Sequence, residues 1–146
     1  MAKFVFRLQS VLGVKQKVED LKKNEFGKAV GLLARARQKK ADMEQSKADC
    51  IDGLRNSIDK NIEPKDILLY NQYIDRLKHM IELQEAVIIK VEAYVEEKRA
   101  ELVEAMRDRK TLETLKENDF EEFLEEEKKA EQKVVDEIVS YRGSKR

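Results

Sequence analysis

Two residues in this chain could carry nucleophilic or metal chemistry, and each stands alone: His79 is its one histidine and Cys50 its one cysteine. A structural or catalytic zinc ion needs three or four nitrogen, sulfur or carboxylate ligands brought together. His79, set between Lys78 and Met80, has no second histidine or cysteine to share a metal and reads as a solvent-facing helical residue. A reactive cysteine needs a thiolate-stabilising neighbour such as histidine. Cys50 has none nearby in sequence and falls on an apolar stripe, which makes it a packing residue. The carboxylates from Glu117 to Glu127 lack the glycine-containing loop of an EF-hand, so they read as a solvated helix face. The basic group Arg35, Arg37, Lys39 and Lys40 could meet phosphate, but the chain is charge-balanced and the arm that would face it is acidic, so no nucleic acid partner is expected. Gly27 and Gly31 form a small-residue pair that in a water-soluble helix serves close packing. No GxGxxG or Walker A segment is present. No catalytic, cofactor-binding or metal-ligating residue is assigned, and the chain is read as a non-enzyme.

The elements that hold these residues follow from composition. Of 146 residues, 41% are charged, with 30 basic against 30 acidic. An ordinary domain is about 25% charged. The excess needs solvent, and therefore a high ratio of surface to volume. Disorder is the rival reading of high charge, but the net charge is zero and 41% of residues are apolar. The abundance of Ala, Glu, Lys, Leu and Arg is that of long helices and coiled coils. No apolar run is long enough for a transmembrane helix, and the N-terminus lacks the continuous apolar stretch of a secretory signal. With a single cysteine, a reducing, cytoplasmic setting is expected.

Pro64, the one proline, divides the chain. Proline suits the first turn of a helix and breaks an interior. The expected architecture is all-α: a single coiled-coil hairpin over residues 1–146, with helix one at about 4–60, a turn at 61–63 and helix two at about 64–141. Gly143 is expected to cap helix two, ahead of a Ser-Lys-Arg tail.

Helix two carries the clearest period. Ile67, Ile74, Ile81, Ile88, Val95 and Leu102 recur every seven residues, accompanied by Tyr70, Leu77, Gln84, Val91, Lys98, Ala105 and Leu112. Alternating steps of three and four are the heptad of a left-handed supercoil. In helix one, Phe4, Val11 and Val18 with Val14 and Leu21 form one apolar series, and Ala29, Ala36, Met43 and Cys50 form another. Joining the two requires a four-residue stutter after Glu25, with local unwinding.

Folding at Pro64 opposes residues whose numbers add to about 124, which sets Ala29 against Val95, Ala36 against Ile88, Met43 against Ile81 and Cys50 against Ile74. Small residues then meet branched ones, as interdigitated packing favours. Residues 1–60 carry 14 basic and 8 acidic side chains, and residues 61–146 carry 16 and 22. Opposite charge favours pairing between the arms over self-pairing, so the protein alone is expected to be a monomer. Beyond about Phe123, helix two overhangs the N-terminus, with Ala130, Val134, Ile138 and Tyr141 at helical spacing and nothing left to cover them. An uncovered apolar stripe marks a partner site. Phe4, Phe6, Phe26, Phe120, Phe123 and Tyr141 gather toward this open end, while Tyr70 and Tyr73 lie near the turn. Aromatic residues at both ends suit a connector with a contact at each.

Two segments then carry a resemblance. Phe4-Val5-Phe6-Arg7-Leu8-Gln9-Ser10-Val11-Leu12, followed by alternating Lys and Glu, resembles the start of the flagellar export protein FliJ family, as does Leu69-Tyr70-Asn71-Gln72-Tyr73-Ile74-Asp75-Arg76-Leu77 after the turn. The similarity covers nearly the whole chain. It implies a non-enzymatic component of type III flagellar protein export that resembles the coiled coil of the rotary ATP synthase γ subunit. Such a protein would be needed for flagellum assembly and motility, cytoplasmic, and peripheral to the inner face of the cell membrane without inserting into it. Its implied partners are the hexamer of the export ATPase, the cytoplasmic domain of the membrane export gate, and export chaperones that it escorts.

Matched residue by residue, the family's gate-facing stripe falls on Tyr73, Leu77, Met80 and Gln84, with a helix-one counterpart near Lys39, Met43, Ser46 and Cys50 where two expected aromatics are absent. The same Leu77 and Gln84 lie on the heptad seam, so periodicity and resemblance assign them different neighbours. The ATPase-binding end is assigned to Phe4, Phe6, Leu8, Val11, Phe120, Phe123, Val134, Ile138 and Tyr141. The alternatives are the equivalent stalk of a virulence-type injectisome and, from another class, a generic coiled-coil adaptor that dimerises through parallel helices.

Overall fold

A computed structural model describes residues 2–144 of the chain. It is all-α, with α1 spanning Gln9–Ile58 and α2 spanning Pro64–Ser144, and no strand among the described residues. The fold groups into two units. One combines residues 22–102; the other combines the chain up to Leu21 with that from Val103 onward. Within each, the two helices run antiparallel.

In the 22–102 unit, the turn obeys local chemistry. The Lys60 N–H donates to the Ser57 carbonyl at 3.0 Å as α1 ends. Asn61 takes φ 58°, a left-handed conformation that asparagine tolerates better than most residues bearing a Cβ. The Glu63 carbonyl then accepts the N–H groups of Asp66 at 3.0 Å and Ile67 at 3.3 Å, opening α2. Pro64 occupies the first helical position, where a missing N–H costs nothing.

The seam of this unit follows the expected heptad. Ile74, Leu77, Ile81, Gln84 and Val95 of α2 are buried, as are Ala29 and Ala36 of α1, while Met43, Cys50 and Ile88 are half-buried. Gly53 leaves room for the Tyr70 ring, whose Cε1 and hydroxyl oxygen would lie 3.5 Å from a Cβ at that position. The register agrees with the expected sum. Lys22 meets Glu101 at 3.2 Å, numbers adding to 123, and Lys40 meets Glu85 at 3.3 Å, adding to 125. Phe26, grouped with the open-end aromatics in the sequence, instead lies in this unit beneath the Arg99 guanidinium, 5.3 Å from the ring centroid.

In the other unit, α1 starts at Gln9 and not near Phe4. Residues 2–6 are non-helical, and from Lys3 to Phe6 they alternate: Lys3 and Val5 are exposed, Phe4 and Phe6 covered. That period of two is the mark of an extended segment. It suits a Phe-Val-Phe run poor in helix propensity. Phe4 sits edge-on to Phe120, with centroids 5.2 Å apart, and 5.5 Å from Phe123.

The first turns of α1 differ from expectation in their buried face. Val11, Val14, Val18 and Leu21 are exposed, and the covered positions are Leu8, Leu12, Lys15 and Glu19. The half-buried or buried positions continue as Lys22, Ala29, Ala36, Met43 and Cys50 with a constant step of seven from Leu8. The heptad is therefore unbroken and no stutter follows Glu25. Charged residues can hold seam positions because the opposite helix supplies counter-charges. Glu19 is ion-paired to Arg109, which also binds Glu113, and Lys15 reaches Asp108 at 3.7 Å. Gly143 is helical without positive φ, so it does not cap α2 by the left-handed route. Of the tail assigned in the sequence, Lys145 and Arg146 lie outside the described residues.

Candidate partner-binding surfaces

The C-terminal part of α2 presents an apolar face to solvent. Every described residue from Lys128 onward is exposed, including Val134, Val135, Ile138, Val139 and Tyr141. Helix formation there rests on the Glu-, Lys- and Ala-rich sequence and on local bonds such as the Gln132 amide to Asp136 at 3.0 Å. Val134, Glu137, Ile138, Tyr141 and Arg142 line a shallow groove along this face. The apolar side chains repeat at steps of four and three, so they form one stripe.

The other residues assigned to the open end divide by exposure. Val11 and Phe120 are exposed, and Phe4, Leu8 and Phe123 are half-buried. Phe6 is 5% exposed, so it packs the tip from inside and offers no surface to a partner.

The turn-proximal stripe divides more sharply. Tyr73 is 48% and Met80 39% exposed, whereas Leu77 is 5% and Gln84 7%. Leu77 and Gln84 belong to the seam, and Gln84 spends its amide on the Ala36 carbonyl at 2.9 Å. The assignment of these two to a partner-facing surface is corrected. Tyr73 instead shares an open groove with Ser46, Asp49, Cys50, Ser57, Ile62, Asp66, Leu69 and Tyr70. Exposed Leu68 and Leu69 border Tyr70. The sequence signal for them was their place off the heptad immediately after Pro64.

Charge is concentrated where Lys22, Glu25, Lys98 and Glu101 interlock. The Glu101 carboxyl is held below its usual range chiefly by hydrogen bonds from Lys22 and Lys98. Both lysines are raised, first by their bonds to Glu101. Arg109 is raised by its bonds to Glu113 and Glu19. These are paired structural charges. Among the described residues no group of three or more His, Cys, Asp or Glu is arranged for a metal ion. No helix among the described residues is long and apolar enough to cross a membrane.

The family model for the flagellar FliJ protein matches residues 4–146. The chain belongs to the FliJ family. It is thereby a component of the type III protein export apparatus, from a family of non-enzymatic export proteins. A solved structure described as that of a candidate YscO homolog from Chlamydia trachomatis is similar at 19% identity and a TM-score of 0.47, over 93% of each chain. No individually curated protein matches the sequence. The FliJ-family match spans both units and includes the uncovered C-terminal stripe.

Proposed function

We propose that this FliJ-family chain is the stalk of a flagellar export apparatus, working in the cytoplasm at the inner face of the membrane. Its open end engages the hexamer of the export ATPase. Tyr73 and Met80, near the turn, engage the cytoplasmic domain of the export gate, and the molecule escorts export chaperones. Through these contacts it supports flagellum assembly and motility.

The observation that carries this reading is the exposed stripe of Val134, Ile138 and Tyr141 beyond the last α1 contact. An α-helix is about 10–12 Å across, so an end that thins to one helix fits a ring's central opening. The stripe supplies the apolar and aromatic anchors that dominate binding energy. The carboxylates from Glu117 to Glu127 would steer the tip toward a basic opening.

The test is co-purification with the flagellar export ATPase, with and without nucleotide, alongside complementation of a non-motile strain lacking its own FliJ. Retention on the ATPase and recovery of motility support the reading. Retention only by an injectisome ATPase, without recovery of motility, would reassign the chain to a virulence-type system.

A further inference from the structure

The apolar residues of α1 that face away from α2 form a second uncovered stripe: Val11, Val14, Val18 and Leu21, all exposed. Their steps of three and four place them along one helix face. We propose that this stripe receives the C-terminal overhang of a second copy of the same chain, in a reciprocal dimer.

Three features of the unit that holds both stripes favour a second copy. The first is length. Val11 to Leu21 and Ala130 to Tyr141 each span about 15–17 Å at the helical rise. The second is charge. Basic Arg7, Lys15 and Lys17 flank the first stripe, Lys15 also reaching Asp108 across the seam, and acidic Glu127, Glu131 and Glu137 flank the second, with Arg142 at its end. Complementary flanks select one helix partner over another. A stripe of either kind paired with its own copy would set like charges together.

The third is symmetry. A twofold dimer makes the same contact twice, so both docks must form at once. The pairing register puts the centre of the α1 stripe level with about Asp108 of α2, because Lys15 meets that residue. The overhang stripe is centred near Val135. The axis that exchanges them crosses α2 midway, beside Phe120 to Leu124. Exposed Phe120 and Leu124 lie at that level, with Val5, 81% exposed, on the adjoining segment. The axis therefore meets apolar surface. In this arrangement α1 of one copy runs parallel to the overhang of the other, with Val14 near Val134 and Val18 near Ile138.

The dimer covers the overhang proposed above to engage the ATPase ring. Its consequence is that the ring takes up the monomer, and that self-association holds the tip in reserve. The dimer itself rests on the two stripes alone and stands or falls independently of ring binding.

Sedimentation equilibrium of the full chain from low to high micromolar concentration tests this. The expected result is a monomer–dimer equilibrium that weakens as salt rises. The exchange Val14→Gln with Val18→Gln should abolish dimerisation, as should truncation after Lys129, with circular dichroism confirming that both variants stay helical. A chain carrying Cys50→Ser and Val14→Cys, mixed with one carrying Cys50→Ser and Val134→Cys, should form a mixed disulfide under mild oxidation in preference to either like pair. A monomer at every concentration would overturn the proposal. So would a dimer that survives both variants, or cross-linking confined to like pairs.

Discussion

The Gln84 side-chain amide donates to the backbone carbonyl of Ala36 at 2.9 Å, across the seam and with both residues buried. A polar side chain at a heptad core position costs packing and gains register, because its partner exists at one height only. Here the acceptor is a helix carbonyl, whose second lone pair takes the extra bond. Replacing Gln84 by Ala should therefore lower stability by about 1–2 kcal/mol, through a lost hydrogen bond and a small cavity. Replacing it by Leu should be within about 1 kcal/mol of neutral, since apolar seam contact replaces the bond. Urea unfolding followed by circular dichroism distinguishes the two.

At Gly53, an added methyl group would meet the Tyr70 ring at 3.5 Å, an ordinary contact. Gly53→Ala should stabilise α1 by about 0.5–1 kcal/mol from helix propensity. Gly53→Leu should displace Tyr70 and lower the unfolding midpoint. Thermal melts of the two variants should move in opposite directions.

Acid should loosen the protein through Glu101. Its folded pKa is depressed by Lys22 and Lys98, so its contribution is present above the unfolded glutamate value, about 4.3, and is lost as pH falls through the lower folded value. Lys22 and Lys98 have raised folded values. Their contribution is complete below the unfolded lysine value, about 10.4, and disappears as pH rises through the folded one. Glu101→Gln should flatten the acid limb of a stability–pH curve, and it should weaken the high-pH limb because both lysines lose the same partner. An unchanged acid limb would remove Glu101 from the account.

Tyr73→Ala with Met80→Ala should weaken capture by the cytoplasmic domain of the export gate severalfold. Both side chains are exposed, so stability should change by no more than about 0.5 kcal/mol each. Paired binding and melting measurements check this. A large loss of stability would place the two residues among the packing contacts.

How much of this fold could be read in advance depended on what fills the seam. In α2, every heptad position from Ile67 to Leu112 is buried or half-buried, and nearly all are apolar, so periodicity and packing coincide. The first turns of α1 separate the two. Their seam carries Lys15, Glu19 and Lys22, made tolerable by Asp108, Arg109 and Glu101 of α2. The stronger apolar period of Val11, Val14, Val18 and Leu21 lies on the open side. A reading that equates apolar with buried selects the wrong face there and needs a stutter to reconcile it. The surface stripe divided for the same reason. Tyr73 and Met80 lie off the heptad, whereas Leu77 and Gln84 lie on it, and the heptad determined their burial.

The measurement that bears most directly on the stalk account is ATPase hexamer assembly with a chain truncated after Lys129. This variant keeps Phe4, Phe120 and Phe123 together and removes Val134, Ile138 and Tyr141. The account predicts that it stays helical and still binds the export gate through Tyr73 and Met80, while stimulation of hexamer assembly is lost. Full stimulation by the truncated chain would contradict it.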